Sequence, residues 1–214
     1  MSVAAVVVAA GRGLRFGERK QFALLGEETL AARAVRLARC VAERVVVVVP
    51  EDYRGAGEGA DAVATGGPTR SASVRAGLAL VGDADVVVVH DAARPLASER
   101  LFRAVVSAVL EGADAAVPGL TPTDTVKLVR HDQGHTVVES TLNRDDLVAV
   151  QTPQAFRRTA LDAAHASARD ASDDAALVEQ WGGRVEVVAG DPENFKVTHA
   201  SDVARLRDLV EERS

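Results

Sequence analysis

Val3–Val8, Val45–Val49 and Val86–Val89 are unbroken apolar runs built mostly from valine, the pattern of strands covered on both faces. They predict strands over Val3–Val8, Arg44–Val49 and Asp85–His90. Between them the apolar period lengthens to that of a helix. Thr29–Cys40 puts Leu30 and Leu37, with Val41 just beyond, near one face, and the stretch from Arg70 carries Val74, Leu78 and Val81 at i, i+4 and i+7. A brief strand is expected at Asp61–Thr65, closed by the turn signal Gly66-Gly67-Pro68-Thr69, after a charged, glycine-rich stretch Glu51–Gly59 that reads as a short helix or loop. Ser98 is placed to cap a helix reaching Leu110, and Ala113–Pro118 is strand-like. Helices follow at Arg157–Arg169 and Ser172–Trp181, the latter with Ser172 as its cap and Asp173 and Asp174 in its first turn. A late strand, Arg184–Ala189, and a terminal helix, Ser201–Glu212, complete the series. This alternation predicts a right-handed, mostly parallel, three-layer α/β sheet.

One segment breaks the rhythm. Thr125–Val129 and Thr136–Glu139 are short β-like runs around His131-Asp-Gln-Gly134-His135, and neither alternates with a helix. They read as an antiparallel β-arm over residues 121–151, projecting from a single domain that spans residues 1–214.

Composition narrows the class. The formal net charge of −6 argues against nonspecific binding to nucleic acid or to an anionic membrane. No apolar run approaches the ~20 residues a spanning helix needs, and the first residues lack the basic n-region of a secretory leader. A cytoplasmic location is expected, in keeping with a single cysteine, Cys40. Of 25 basic residues only Lys20, Lys127 and Lys196 are lysine. In so arginine-rich a chain each compact ammonium marks a place to look for chemistry.

In open α/β sheets ligands bind beyond the carboxyl ends of the strands. After the first strand comes Ala9-Ala10-Gly11-Arg12-Gly13-Leu14-Arg15-Phe16-Gly17-Glu18-Arg19-Lys20-Gln21. Gly11 and Gly13 allow close backbone approach, and inward N–H groups attract anions. The loop is neither G-x-G-x-x-G, because Phe16 stands where the third glycine belongs, nor a Walker A loop, because Glu18 follows Gly17. With Arg15 and Lys20 it suits a nucleoside triphosphate whose charge needs neutralising. The other ends offer Gly66, Gly67, Arg70 and Ser73, then His90-Asp91-Ala-Ala-Arg94-Pro95, and last Asn194-Phe-Lys196-Val-Thr198. Asp91 is a carboxylate suited to sugar hydroxyls or Mg²⁺, and Arg94 can grip a phosphate bidentately. Each has a plainer role open to it: Asp91 as a turn cap, Arg94 as a solvated charge, Ser172 as a helix cap, and Gln151-Thr152-Pro153-Gln154 as a strand end closed by proline. His90 ends a buried strand, and a hydrogen-bonded structural histidine is the expectation there.

Together, Ala9-Ala-Gly-x-Gly-x-Arg15, Lys20-Gln21, Gly66-Gly-x-x-Arg70-x-x-Ser73-Val74, His90-Asp-Ala-Ala-Arg-Pro95, Asp124-Thr-x-Lys127, Gln151-Thr-Pro-Gln154 and Asn194-x-Lys196-Val-Thr198 resemble, in order, the 2-C-methyl-D-erythritol 4-phosphate cytidylyltransferase family. The resemblance implies a Rossmann-like nucleotidyltransferase fold that moves CMP from CTP to a sugar-alcohol phosphate with Mg²⁺. It implies that Ala9, Ala10, Gly11, Gly13, Gly66, Gly67, Ser73 and Asp91 surround the nucleotide and that Arg15 and Lys20 contact its phosphates. Asp91, Arg94, Thr152, Ser172 and Lys196 would face the acceptor. Thr125 and Arg144 would reach in from the arm of a second subunit, making a homodimer. Arg15, Lys20, Lys196 and Arg144 would be the catalytic set. Two positions depart from the family pattern: Arg19 stands where proline is usual, and Ser172 where threonine is frequent. Ribitol 5-phosphate cytidylyltransferases share most of these motifs, and a CTP-binding protein without turnover is the alternative of another class.

Overall fold

The computed structural model describes residues 1–11, 19–167 and 169–211. Among them the strands are β1 (Val3–Val8), β2 (Leu24–Leu25), β3 (Glu28–Thr29), β4 (Arg44–Val49), β5 (Ala62–Thr65), β6 (Val86–Asp91), β7 (Ala115–Leu120), β8 (Lys127–Asp132), β9 (His135–Thr141), β10 (Ala149–Val150), β11 (Gln154–Arg157) and β12 (Val185–Ala189). The helices are α1 (Leu30–Ala38), α2 (Arg70–Leu78), α3 (Glu99–Leu110), α4 (Arg158–His165), α5 (Asp174–Trp181) and α6 (Ala200–Glu211).

The main sheet runs β10-β7-β11-β6-β1-β4-β5, with β12 on the far side of β7. β1, β4, β5 and β6 pair in parallel, as do β7 and β12, while β10 and β11 run against their neighbours. The mostly parallel α/β sheet expected from the sequence is therefore the one found. Its core splits by residue parity. Ala5, Val7, Val45, Val47 and Val88 face Ala34, Val35, Phe102 and Val105 of α1 and α3. Ala4, Val6, Val46, Val48 and Val87 face Val74, Leu78, Leu161 and Val178 of α2, α4 and α5. A strand whose alternate residues both meet helices must be apolar throughout, which is why the valine runs were so long.

Small side chains permit close layers. A Cβ placed on Gly77 of α2 would lie 2.5 Å from Val6 Cγ1 and 3.0 Å from Val48 Cγ2, so the helix rests directly on β1 and β4. Caps set the helix starts. Thr29, Thr69 and Ser98 each accept a backbone N–H three residues on, at 3.0, 3.1 and 3.4 Å.

Several expectations are corrected. The cap of α5 is Asp173, whose carboxylate accepts the Ala176 N–H at 3.0 Å, and Ser172 lies one residue outside. The helix expected to reach Arg169 ends at His165, while Glu51–Gly59, read as a short helix or loop, forms turns. β11 was not foreseen. It follows the cis Thr152–Pro153 peptide and inserts between β6 and β7, bonded to both. Within the arm stretch, β8 and β9 form a separate two-stranded sheet, whereas Ala149–Val150 pair with β7.

His90 closes β6 as a structural residue. It is wholly buried, its Nδ1 3.1 Å from Thr152 Oγ1, its Nε2 3.2 Å from the Arg94 carbonyl and its ring 5.0 Å from that of Phe102. Burial pushes its pKa down to about 4, outweighing the opposing pull of Asp91. An unfolded histidine titrates near 6.5, so between these values the unfolded chain binds a proton that the folded one refuses. The stability is full above pH 6.5 and is lost as pH falls toward 4, by on the order of 3 kcal/mol for the whole interval. Denaturant titrations at pH 7 and 4.5 are expected to show this loss, with a shallower slope in His90→Asn. Equal slopes in the two proteins would clear His90 of the effect.

Candidate active site

The loops leaving the carboxyl ends of β1, β5, β6 and β12 meet along one edge of the sheet. Two of them touch through glycine. A Cβ on Gly66 would fall 2.3 Å from that of Ala10, so only glycine lets the loop after β5 lie against the loop after β1. Gln21, buried, ties the start of the β1 loop by donating from Nε2 to the carbonyls of Ala9 (2.8 Å) and Gly11 (2.9 Å). Ser73 fixes the other loop: its Oγ accepts the Gly67 N–H at 3.1 Å and donates to the Thr69 carbonyl at 2.9 Å. Its one proton is thus engaged within the fold, leaving a lone pair for any ligand. Gly13 and Arg15 lie outside the described residues.

Asp91 is the centre of the charged part. Its N–H is held by Thr152 Oγ1 at 3.0 Å. Its Oδ2 accepts Lys196 Nζ at 2.6 Å, and its Oδ1 faces Arg70 Nη2 at 3.5 Å. Burial alone would raise the pKa of this carboxyl, but Arg70, Lys196 and Arg94 outweigh it and hold the group well below the ordinary carboxylate range. Asp91 is therefore an anion at neutral pH. Arg70 is in turn gripped by Asp174, whose Oδ2 accepts Nη1 at 2.6 Å, while His165 Nε2 lies 3.0 Å from Asp174 Oδ1. For Arg70, burial pulls the pKa down, but Asp174 and Asp91 prevail and raise it.

Arg94 braces the site more than it faces outward. Nη1 donates to the Asn194 carbonyl at 2.7 Å and Nη2 to that of Val150 at 3.4 Å. Burial lowers its pKa, with Asp91 opposing. Asn194, fully buried, donates to the Thr152 carbonyl at 2.9 Å, and Gln151 donates to the Asp191 carbonyl at 2.8 Å. These bonds fasten the loop after β12 beneath Lys196. Lys20 donates to the carbonyl of Val197, the residue after Lys196. At Arg19 the backbone φ of −80° is at the edge of the proline range, and its guanidinium pairs with Asp52. The chain thus keeps a proline-like path into Lys20 without proline.

Of the candidate residues, the structure brings together Ala9, Ala10, Gly11, Gly66, Gly67 and Ser73 as one pair of loops, and Asp91, Arg94, Thr152 and Lys196 as one charged cluster, with Lys20 bonded to the backbone of the loop that bears Lys196. Thr125 and Arg144 are exposed on the arm, Arg144 donating to the Thr123 carbonyl at 2.6 Å. Ser172 is exposed in a loop fastened to the start of α2 by Thr69 Oγ1 to Asp170 (2.6 Å). Asp174 and His165 were missed as site residues; the only sequence signal was an acid pair after Ser172, and that reads as helix capping.

Such a place can hold anions with fixed cations. Neither of its histidines faces a ligand as a base: His90 is enclosed at the end of β6, and His165 is buried behind Asp174. Among the described residues no group of three or more His, Cys, Asp or Glu side chains converges on a metal position. A hard cation here would rest on Asp91 and on oxygens brought by a ligand, the arrangement Mg²⁺ adopts with phosphates.

Comparison with known proteins agrees with this geometry. The chain is 49% identical over 222 residues to the bifunctional enzyme IspD/IspF of Clavibacter michiganensis, covering 96% of this chain and 53% of that protein. It is 45% identical over 219 residues to the 2-C-methyl-D-erythritol 4-phosphate cytidylyltransferase of Rhodococcus jostii, covering 98% and 96%. The crystal structure of 2-C-methyl-D-erythritol 4-phosphate cytidylyltransferase from Thermus thermophilus superposes with a TM-score of 0.83 at 34% identity, covering 99% of this chain and all of that one. The model of the family described as IspD, 2-C-methyl-D-erythritol 4-phosphate cytidylyltransferase, matches residues 3–212. With nearly its whole length matched, the chain belongs to the 2-C-methyl-D-erythritol 4-phosphate cytidylyltransferase family.

Proposed function

We propose that this protein transfers CMP from CTP to 2-C-methyl-D-erythritol 4-phosphate, a step of non-mevalonate isoprenoid precursor synthesis. A phosphate oxygen of the acceptor attacks the α-phosphorus of CTP. The bond from that phosphorus to the β-phosphate oxygen breaks, giving 4-diphosphocytidyl-2-C-methyl-D-erythritol and pyrophosphate. The observation that carries the reading is that two of the chain's three lysines, far apart in sequence, are brought to one loop: Lys196 reaches the buried Asp91, and Lys20 donates to the carbonyl of Val197, the next residue.

A phosphate monoester has a second pKa near ~6 and is mostly dianionic at neutral pH, so the attack needs no general base. The obstacle is bringing two anions together and stabilising charge at the α-phosphorus. In this reading Ala9, Ala10, Gly11, Gly13, Gly66, Gly67 and Ser73 enclose the nucleotide, with Asp91 at its edge, and Arg15 and Lys20 lie along its phosphates. Lys196, Asp91, Arg94, Thr152 and Ser172 define the acceptor side. Thr152 acts through the Asp91 N–H it holds. Mg²⁺ would neutralise the triphosphate when bound, with Asp91 as the candidate carboxylate. The same reading places the enzyme in the cytoplasm.

The arm supports a homodimer. Leu128, Val129, Val137 and Val138 are all exposed on β8 and β9, and a lone two-stranded hairpin with bare apolar residues is marginal in water. A second copy would cover them and bring Thr125 and Arg144 to the site.

With CTP, Mg²⁺ and 2-C-methyl-D-erythritol 4-phosphate, pyrophosphate release is expected, and EDTA should abolish it. Release with ribitol 5-phosphate in its place, and none with the named acceptor, would reassign the substrate. Lys20→Ala should leave the fold intact by circular dichroism yet lower turnover by on the order of 10²–10³, as loss of one preorganised charge-stabilising donor does; near-normal turnover would take Lys20 out of the chemistry. Sedimentation should give a dimer mass, and Val138→Asp should shift it to the monomer with loss of activity. A wild-type monomer with full activity would refute the shared site.

A further inference from the structure

Lys196 is tied to Asp91 at 2.6 Å, yet the proposed reaction needs it on the acceptor phosphate. Moving it away would strand a buried carboxylate, which is costly unless another cation takes over. Arg70 is that cation. Its Nη1 is anchored on Asp174 at 2.6 Å, whereas its Nη2 is buried with no hydrogen-bond partner and stands 3.5 Å from the free oxygen of Asp91. A planar fork can hold two carboxylates at once, which a single ammonium cannot. Asp174 is itself fully enclosed and set from behind by His165 at 3.0 Å. The charges thus alternate from Asp174 through Arg70 and Asp91 to Lys196, with a rigid inner end and an outer end that reaches solvent.

Resting on the functional reading above, we infer that Arg70 is a positioning residue: it closes on Asp91 as Lys196 swings to the acceptor phosphate, and Asp174 with His165 holds Arg70 ready for that exchange. Without Arg70, Lys196 stays pinned and half-neutralised on Asp91. The nucleotide loops are fastened by Gln21 and Ser73 and not by Arg70, so the larger effect falls on the acceptor.

Steady-state pyrophosphate release is measured with each substrate varied in turn. Arg70→Met is expected to raise the acceptor KM about tenfold, the scale on which coupled neighbours depart from additivity, while the CTP KM stays within about twofold. Arg70→Lys should recover only part of the loss, because it keeps the charge without the fork. In a Lys196→Ala background, assayed at higher enzyme concentration, Arg70→Met should raise the acceptor KM no further. An unchanged acceptor KM in a folded Arg70→Met protein, an equal rise for both substrates, or a rise that persists without Lys196 would overturn the exchange. Should the methionine variant fail to fold, Arg70→Lys decides alone: wild-type KM values would refute the inference. Wild-type protein that releases no pyrophosphate with this acceptor would instead refute the functional reading.

Discussion

Asp91 imposes the constraint from which the site follows. A carboxylate at the end of a buried strand cannot be solvated by water, and leaving such a charge unpaired costs several kcal/mol. The fold meets this with cations from three directions: Arg70 from the start of α2, Lys196 from the loop after β12, and Arg94 from the turn after β6 itself. The choice of cation differs with the task. Arg70 stands between two carboxylates with a side chain 22% exposed, while Lys196 is 46% exposed on a flexible stem. Rigidity is placed where two carboxylates must be held, and reach where the cluster opens to solvent.

How the loops meet follows from sheet order. β1 and β5 are separated only by β4, so their ends lie about two strand spacings, roughly 10 Å, apart. Both loops fold toward each other over the end of β4, where the Gly66 N–H bonds the Val49 carbonyl at 2.8 Å and the Ala9 N–H bonds that of Val48 at 2.8 Å. Ala10 against Gly66 is the smallest pairing short of two glycines. A larger residue at either position would part the loops before it met any ligand.

Most of the sheet was legible because a strand covered on both faces announces itself in an unbroken apolar run, and the Gly66-Gly67 turn because a side chain at Gly66 would strike Ala10. β11 was hidden for the opposite reason. Gln154–Arg157 has only Ala155 and Phe156 between polar ends, and it is a strand because β6 and β7 bond it from both sides, which no local pattern records. The cap of α5 was misplaced by one residue since Ser172 and Asp173 are equally good capping types; what decides is Asp174, drawn inward by Arg70 and His165. That contact joins residues 104 apart in sequence. Periodicity could place Arg70 on a helix and Asp174 on another, but not tell that the two helices start side by side.

Arg94 connects this charged centre to the arm. One of its nitrogens holds the Asn194 carbonyl beneath the Lys196 loop, and another reaches the carbonyl of Val150, where the returning end of the arm joins β7 through β10. The root of the arm and the loop bearing Lys196 therefore share one guanidinium. Any partner that fixes the arm acts on a segment already bonded, through Arg94, to the loop that bears Lys196. On the proposed reading, association contributes more than Thr125 and Arg144. It also sets the strand end against which Arg94, and with it the Asp91 cluster, is braced.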